Sequence, residues 1–156
     1  MRGKQAKKRE IKPDLMYNNV SVTRLINKVM LRGKKNTARK IVYTSLENLA
    51  KETKTDTIEA FEKALNNVRP EVEVRSRRIG GANYQIPMPV ADTRQTSVAI
   101  RWIVDAARGQ KGSDMTTSLS KELLNAYNNT GSAIKKKEET LRMAEANKAF
   151  SHFAIQ

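Results

Sequence analysis

Residues Val72 to Val90 read VEVRSRRIGGANYQIPMPV. Two runs with strand character flank Gly80-Gly81-Ala82-Asn83, the pattern of a β-hairpin. With a side-chain period of two, Val72, Val74, Ser76 and Arg78 share one face of the rising strand, and Arg75, Arg77 and Ile79 share the other. On the returning strand Tyr84, Ile86, Met88 and Val90 share a face. The apolar residues of the rising strand sit at its base and three arginines crowd its far end, a form suited to reaching into something anionic. Pro87 and Pro89 have the same strand parity, so the amides they lack fall on one lateral side. That side cannot donate to a third strand. The expectation is a free two-stranded ribbon, projecting about 30 Å at ~3.3 Å per residue. An isolated hairpin is marginal in water, so a partner is expected to help order it.

The rest of the chain reads as helices around this ribbon. Val22, Leu25, Ile26, Val29 and Met30 form an apolar stripe for a first helix over about 20–32, closed by Gly33. Lys34, Lys35 and Asn36 read as a turn. A second helix follows from Thr37 to about Lys51. Asp56 and Glu59 are spaced as a capping box for a third, which Pro70 ends. Asp92 and Gln95 are spaced as a similar pair opening a fourth, whose buried face is marked by Ala99, Trp102, Ile103, Ala106 and Ala107. Along its side Arg94, Arg101 and Arg108 recur every seven residues. A fifth helix spans about 115–128. A sixth runs from near Ser132 towards Phe150, with no clear inward face. The fold class is therefore all-α, a six-helix domain over residues 17–156 with a protruding β-ribbon at about 72–90 between the third and fourth helices. Residues 1–16 form a basic N-terminal arm, interrupted by Pro13 and expected to be disordered until a partner orders it.

Charge says what the partner is. In 156 residues, 30 Lys plus Arg oppose 16 Asp plus Glu, a net charge of +14, and hydrophobic content is only 38%. Such an excess calls for a polyanion, with nucleic acid first. The charge is also patterned: Arg24 to Lys40 holds seven cations and no acid, whereas Glu47 to Glu73 holds seven acids and four cations. One face should therefore avoid the polyanion. No apolar run approaches a membrane span, and the start lacks the apolar core of a secretory signal, so the cytoplasm is the default.

Catalysis has no visible basis. There is no cysteine and one histidine, His152. A zinc site is not expected, nor is any other metal or cofactor. Glu59 and Glu62 read as acids placed in the first turns of a helix rather than as an acid/base pair. Gly33-Lys34-Lys35-Asn36 lacks the upstream glycine and following Ser/Thr of a phosphate loop. Trp102 has core spacing. With aromatics scarce, recognition through shape and phosphates is favoured. Two rivals are weighed: an architectural DNA-binding protein using a β-ribbon arm, and an RNA-modifying enzyme.

Three blocks then carry a resemblance: NNVRPEVEVRSRRIGGANYQIPMPV, AIRWIVDAAR and RMAEANKAFSHF, joined by Leu31-Arg32-Gly33-Lys34-Lys35-Asn36-Thr37-Ala38. In order and spacing, from about Arg9 onward, the chain resembles the small-subunit ribosomal protein seven family of bacterial or organellar type. The resemblance implies a structural constituent of the small ribosomal subunit, not an enzyme. It would bind the 3-prime major domain of ribosomal RNA and nucleate assembly of the subunit head. It would lie beside the exit tRNA site and the messenger path, with small-subunit proteins nine and eleven as neighbours. Its RNA-facing positions would be Lys34, Lys35, Arg75, Arg77, Arg78, Arg101 and Arg108, with Arg142 and Lys148 in the C-terminal block. Arg2, Lys4, Lys7, Lys8 and Arg9 are the arm's candidates. Gly80 and Gly81 would approach tRNA, and Val72, Val74, Ile86 and Met88 would seat the ribbon on the helices.

Overall fold

The computed structural model describes Gly3, Ala6 and residues 9–155, with side chains as far as His152. Its elements are α1 (Val20–Val29), α2 (Lys35–Thr53), α3 (Thr57–Val68), β1 (Val72–Ile79), β2 (Ala82–Pro89), α4 (Asp92–Gly109), α5 (Met115–Tyr127) and α6 (Gly131–Ala146). A 3₁₀ segment (Lys148–Ile155) ends the described residues. This is the expected class: six helices, with a two-stranded antiparallel sheet between the third and fourth.

Helix ends follow local chemistry. The Asn19 side chain accepts the amides of Ser21 and Val22 and starts α1. Asp56 accepts those of Ile58 and Glu59 and starts α3. Asp92 does not cap α4. It is the first helical residue, where its charge suits the helix dipole, and Gln95 reaches back to the Val90 carbonyl at 3.0 Å. α1 stops at Val29, earlier than its apolar stripe suggests. Arg32 and Gly33 both take positive φ, and the Lys34 amide bonds the Leu31 carbonyl in a tight turn. That turn is short enough for Lys35 and Asn36 to join α2 rather than precede it.

The core gathers Val22, Leu25 and Ile26 of α1, Leu46 and Leu49 of α2, Phe61 and Leu65 of α3, and Ile103 of α4 around Leu119 and Leu123 of α5. Each such side chain contributes about 1.5–3 kcal/mol by leaving water. α5 is the hub, packing on α2, α3, α4 and α6. It also carries a buried acid, Glu122, 1% exposed. One oxygen accepts the Ala133 amide at 2.8 Å, near the start of α6, and the other takes Gln110 Nε2 at 3.4 Å. Gly131 (φ +92) makes this fit possible, because a Cβ there would stand 3.0 Å from Glu122 Oε1 and 2.8 Å from Asn125 Cβ.

The ribbon pairs Val72 with Pro89 through to Ile79 with Ala82. The turn is two residues, Gly80 and Gly81, both at positive φ as a type I′ turn requires, so Ala82 and Asn83 belong to the strand. The Val90 amide bonds the Glu71 carbonyl at 3.0 Å. Hydrogen-bonded pairs then alternate, which leaves Pro87 and Pro89 with their amide positions facing away from β1. The ribbon is not free, however. β1 packs on α6 and β2 on the 3₁₀ segment. Ile86 is buried, and the Tyr84 and Phe150 rings meet at 5.0 Å. Residues opposite one another share a face, so Ile86 and Met88 lie with Arg75 and Glu73, while Val72 and Val74 lie on the reverse. The expected seat is thus divided between the two faces. The C-terminal elements support the ribbon, and this is where α6 differs from expectation. It ends at Ala146, its inward residues are Ala133, Ile134, Thr140 and Ala144, and a 3₁₀ segment takes over beside β2.

Candidate nucleic-acid interface

α1 and α4 lie side by side, and an open groove of about 700 Å³ runs between them. Arg24, Asn27 and Lys28 of α1 line it with Arg94, Ser97 and Arg101 of α4; Ile11, Thr93 and Ile100 complete the lining. Among the described residues, four cations and no carboxylate line this space. Their placement follows from helical geometry. Val22, Leu25, Ile26 and Val29 carry α1 into the core, and Ile100, Ile103, Val104 and Ala107 do so for α4. The basic residues on the neighbouring turns are left beside the helix junction.

The three in-line arginines of α4 each address a different neighbour. Arg101 is exposed in the groove. Arg108 Nη2 donates to the carbonyls of Lys28 (3.1 Å) and Val29 (3.4 Å), capping α1 with a cation where the helix dipole favours one. Arg94 turns to the ribbon, its Nε 2.9 Å and its guanidinium NH2 2.8 Å from Glu73 Oε2. Arg75 Nε donates to Glu73 Oε1 at 2.7 Å. One carboxylate therefore ties the ribbon's base to the groove's end. Burial of Glu73 works against its charge, but the bonds from Arg94 and Arg75 outweigh that and hold its pKa below the ordinary value.

At the α1/α2 turn a second cavity of about 470 Å³ is lined by Val29, Leu31, Arg32, Lys34, Ile41, Arg108 and Met115 among others. Lys34 is the N-cap of α2 and Lys35 its first residue, both exposed. α2 starts with no acid in its first turn and no side-chain cap. An anion arriving there would meet both ammonium groups at the positive end of the helix dipole.

The remaining candidates separate. Arg77 and Arg78 are exposed on the outer half of β1, opposite Tyr84 and Asn83, and Gly80 and Gly81 are exposed at the tip. Arg142 on α6 and Lys148 in the 3₁₀ segment are exposed on the elements that support the ribbon, outside the groove lining. Arg9 is exposed. Arg2, Lys4, Lys7 and Lys8 lie outside the described residues. The structure thus places Arg108 and Lys34 together at the α1/α2 cavity, Arg101 in the groove, and Arg75 beside the groove's end through Glu73 and Arg94. From sequence, Arg24 and Lys28 read as part of a phosphate-binding patch at the α1/α2 junction rather than as neighbours of α4, and Arg94 and Glu73 were not counted among the site residues. The seven-residue arginine spacing on α4 pointed towards them, but the partner helix was not legible.

Among the described residues, no helix is long and apolar enough to cross a membrane. The family model described as ribosomal protein S7p/S5e matches residues 1–148. The chain is 57% identical to the small ribosomal subunit protein uS7 of Thermosipho africanus over 153 residues, 98% of this chain and 99% of that protein. It is 56% identical to that of Petrotoga mobilis and 54% identical to that of Thermotoga maritima, over the same shares of each. A helical body with a β-ribbon, a groove whose charged lining residues are all cations and this near full-length likeness together give one conclusion: the chain belongs to the ribosomal protein S7p/S5e family, as a small-subunit ribosomal protein.

Proposed function

We propose that the chain acts by electrostatic clamping of small-subunit ribosomal RNA, as a structural constituent without catalytic activity. The observation that carries this is the acid-free lining of the α1/α4 groove. Phosphates drawn into it displace counterions, and binding weakens steeply with salt. Arg101 and Arg108, with Arg24 and Lys28, form the body's contact. Lys34 and Lys35 hold a second stretch of backbone. Arg75, Arg77 and Arg78 extend the surface along the ribbon, with Arg142, Lys148 and the arm residues Arg2, Lys4, Lys7, Lys8 and Arg9 at its margins.

The family resemblance adds finer detail. The RNA is the 3-prime major domain, binding nucleates the subunit head, and small-subunit proteins nine and eleven are neighbours. Gly80 and Gly81 bring bare backbone towards exit-site tRNA. The relatives named are bacterial, and the proposed setting is a bacterial-type ribosome in the cytoplasm. The test is competition binding of the full chain to a transcript of the 3-prime major domain. Unlabelled transcript should displace the label at equal salt far better than duplex DNA. Duplex DNA competing equally would overturn the reading, and turnover of RNA by the purified protein would overturn its non-enzymatic part.

A further inference from the structure

Asp14 is the one acid among the buried polar residues that lies before the first helix, 7% exposed. Its carboxylate accepts the Tyr43 hydroxyl at 2.9 and 2.8 Å, the Met16 amide at 3.0 Å and the Tyr17 amide at 3.3 Å. The two amides close a local turn, completed by Asn18 N to Asp14 O at 3.0 Å. The Tyr43 bonds do something different: they tie that turn to α2, 29 residues on in sequence. Tyr43 is itself held, its ring meeting Tyr17 edge-on at 5.7 Å and its neighbour Val42 buried in the core.

Two further attachments follow towards the N-terminus. Thr23 Oγ1 of α1 donates to the Lys12 carbonyl at 3.0 Å, and Ile11 lies in the lining of the α1/α4 groove. Between these and Asp14, Pro13 has a fixed φ and holds Lys12 to extended backbone. Within residues 11–14 the chain is therefore referenced to α2, then α1, then the groove. Little rotational freedom remains between Asp14 and Ile11.

We infer that Asp14 and Tyr43 form a positioning latch that lays residues 9–12 along α1, so that Ile11 walls the basic groove and Arg9 stands beside it. This rests on the RNA-binding reading above. The latch touches no RNA. It sets the direction in which the arm's root enters the groove, so arm and groove present one track to the same stretch of backbone. A turn stabiliser alone would need only the Met16 and Tyr17 amides. The Tyr43 hydroxyl, which adds nothing to the turn, is what distinguishes a latch.

The chain has no cysteine, so single tethering sites are available without background. An iron chelate on Glu10→Cys, at the arm's root, or on Ser76→Cys, on the ribbon, directs hydroxyl-radical cleavage to nearby RNA in the full complex. Both positions are exposed. From Glu10→Cys, cuts should be confined to a few nucleotides. Adding Tyr43→Phe, which keeps the ring and the turn, should spread them and reduce the peak at least about threefold, while cuts from Ser76→Cys stay the same. Asp14→Asn should do likewise. The melting temperature of Tyr43→Phe should fall by less than about 5 °C, the scale of a lost hydrogen bond in a chain this size. Confined, undiminished cuts from Glu10→Cys in both variants would overturn the latch. Equal loss from both tethers would also overturn it, since that describes a general loss of fold or binding. Were Asp14→Asn to unfold, Tyr43→Phe decides alone. An absence of localised cuts from either tether in the unsubstituted background would instead remove the RNA-binding reading, and the latch with it.

Discussion

Arg101 of the groove and Arg75 of the ribbon were both expected to face the polyanion, but the molecule holds them differently. Arg101 stands on a helix whose buried side carries Ile100, Ile103 and Val104 into the core, so the position of its backbone is set by apolar packing. Arg75 stands on a two-stranded ribbon whose outer half is largely exposed. Its direction is set by an acid, Glu73, shared with Arg94 of the body. A helical surface can therefore present bare cations, whereas a ribbon gives up part of its charge to be oriented. The same contrast separates the two ends of the ribbon. At the base, Ile86 is 1% exposed and β1 leans on α6. Beyond Arg75, the register pairs Arg77 and Arg78 with Tyr84 and Asn83 near the glycine turn.

Substitutions should separate these regions, and the largest effect belongs to the body. Phe61→Ala empties a fully buried site among α2, α3 and α5 and should cost about 3–5 kcal/mol in urea unfolding. Ile86→Ala should cost less, about 2 kcal/mol, because the ribbon's base can relax towards α6. Its signature is local: hydrogen exchange should quicken in β1 and β2 while α2, α3 and α5 stay protected. Uniform acceleration would mean that ribbon and body unfold as one unit.

Glu73→Gln should cost about 1 kcal/mol near neutral pH by weakening a charged bridge to two arginines, its side chain being 14% exposed. The pH dependence has a definite sign. The folded carboxyl has a depressed pKa, so its contribution is fully present above the ordinary glutamate pKa of about 4.3. It is lost as pH falls through the lower folded value. The stability gap between wild type and Glu73→Gln should close in that acid range, and a gap constant down to the lowest pH would break the ion-pair account. Smallest of all is the tip. Arg77→Ala with Arg78→Ala should change stability by no more than about 0.5 kcal/mol yet weaken RNA binding measurably. Unchanged affinity would remove the outer ribbon from the interface.

Much of this was legible in residue order, because the signals were local. The Gly80-Gly81 turn, Pro87 and Pro89 defined a two-stranded ribbon with no third strand, and period-3.6 stripes located the helices. Misreadings came where a distant partner decides. The register that puts Ile86 beside Arg75 depends on a two-residue turn, which a four-residue reading of 80–83 obscures. The 3₁₀ segment beside β2 answers to Tyr84 and Phe150, 66 residues apart, rather than to its own weak pattern. For the same reason the basic stretch 24–40 was visible as charge, but its pairing with Arg94 and Arg101 across α1 and α4 was not. Glu73 and Asp14 were overlooked because neither local spacing nor charge balance shows which distant residue an acid will bond. In the fold Asp14 is buried and Glu73 partly so, and each is bonded to residues far along the chain.

The central claim is that the α1/α4 groove neutralises RNA phosphates. Its most direct test is the slope of log affinity against log salt for the full chain and for the variant Arg24→Ala, Lys28→Ala, Arg101→Ala, on the same 3-prime major domain transcript. With about 0.7–0.9 of slope carried by each phosphate contact, the variant's slope should be shallower by about 2 to 3. A variant that binds with the wild-type slope would contradict the account, whatever its affinity.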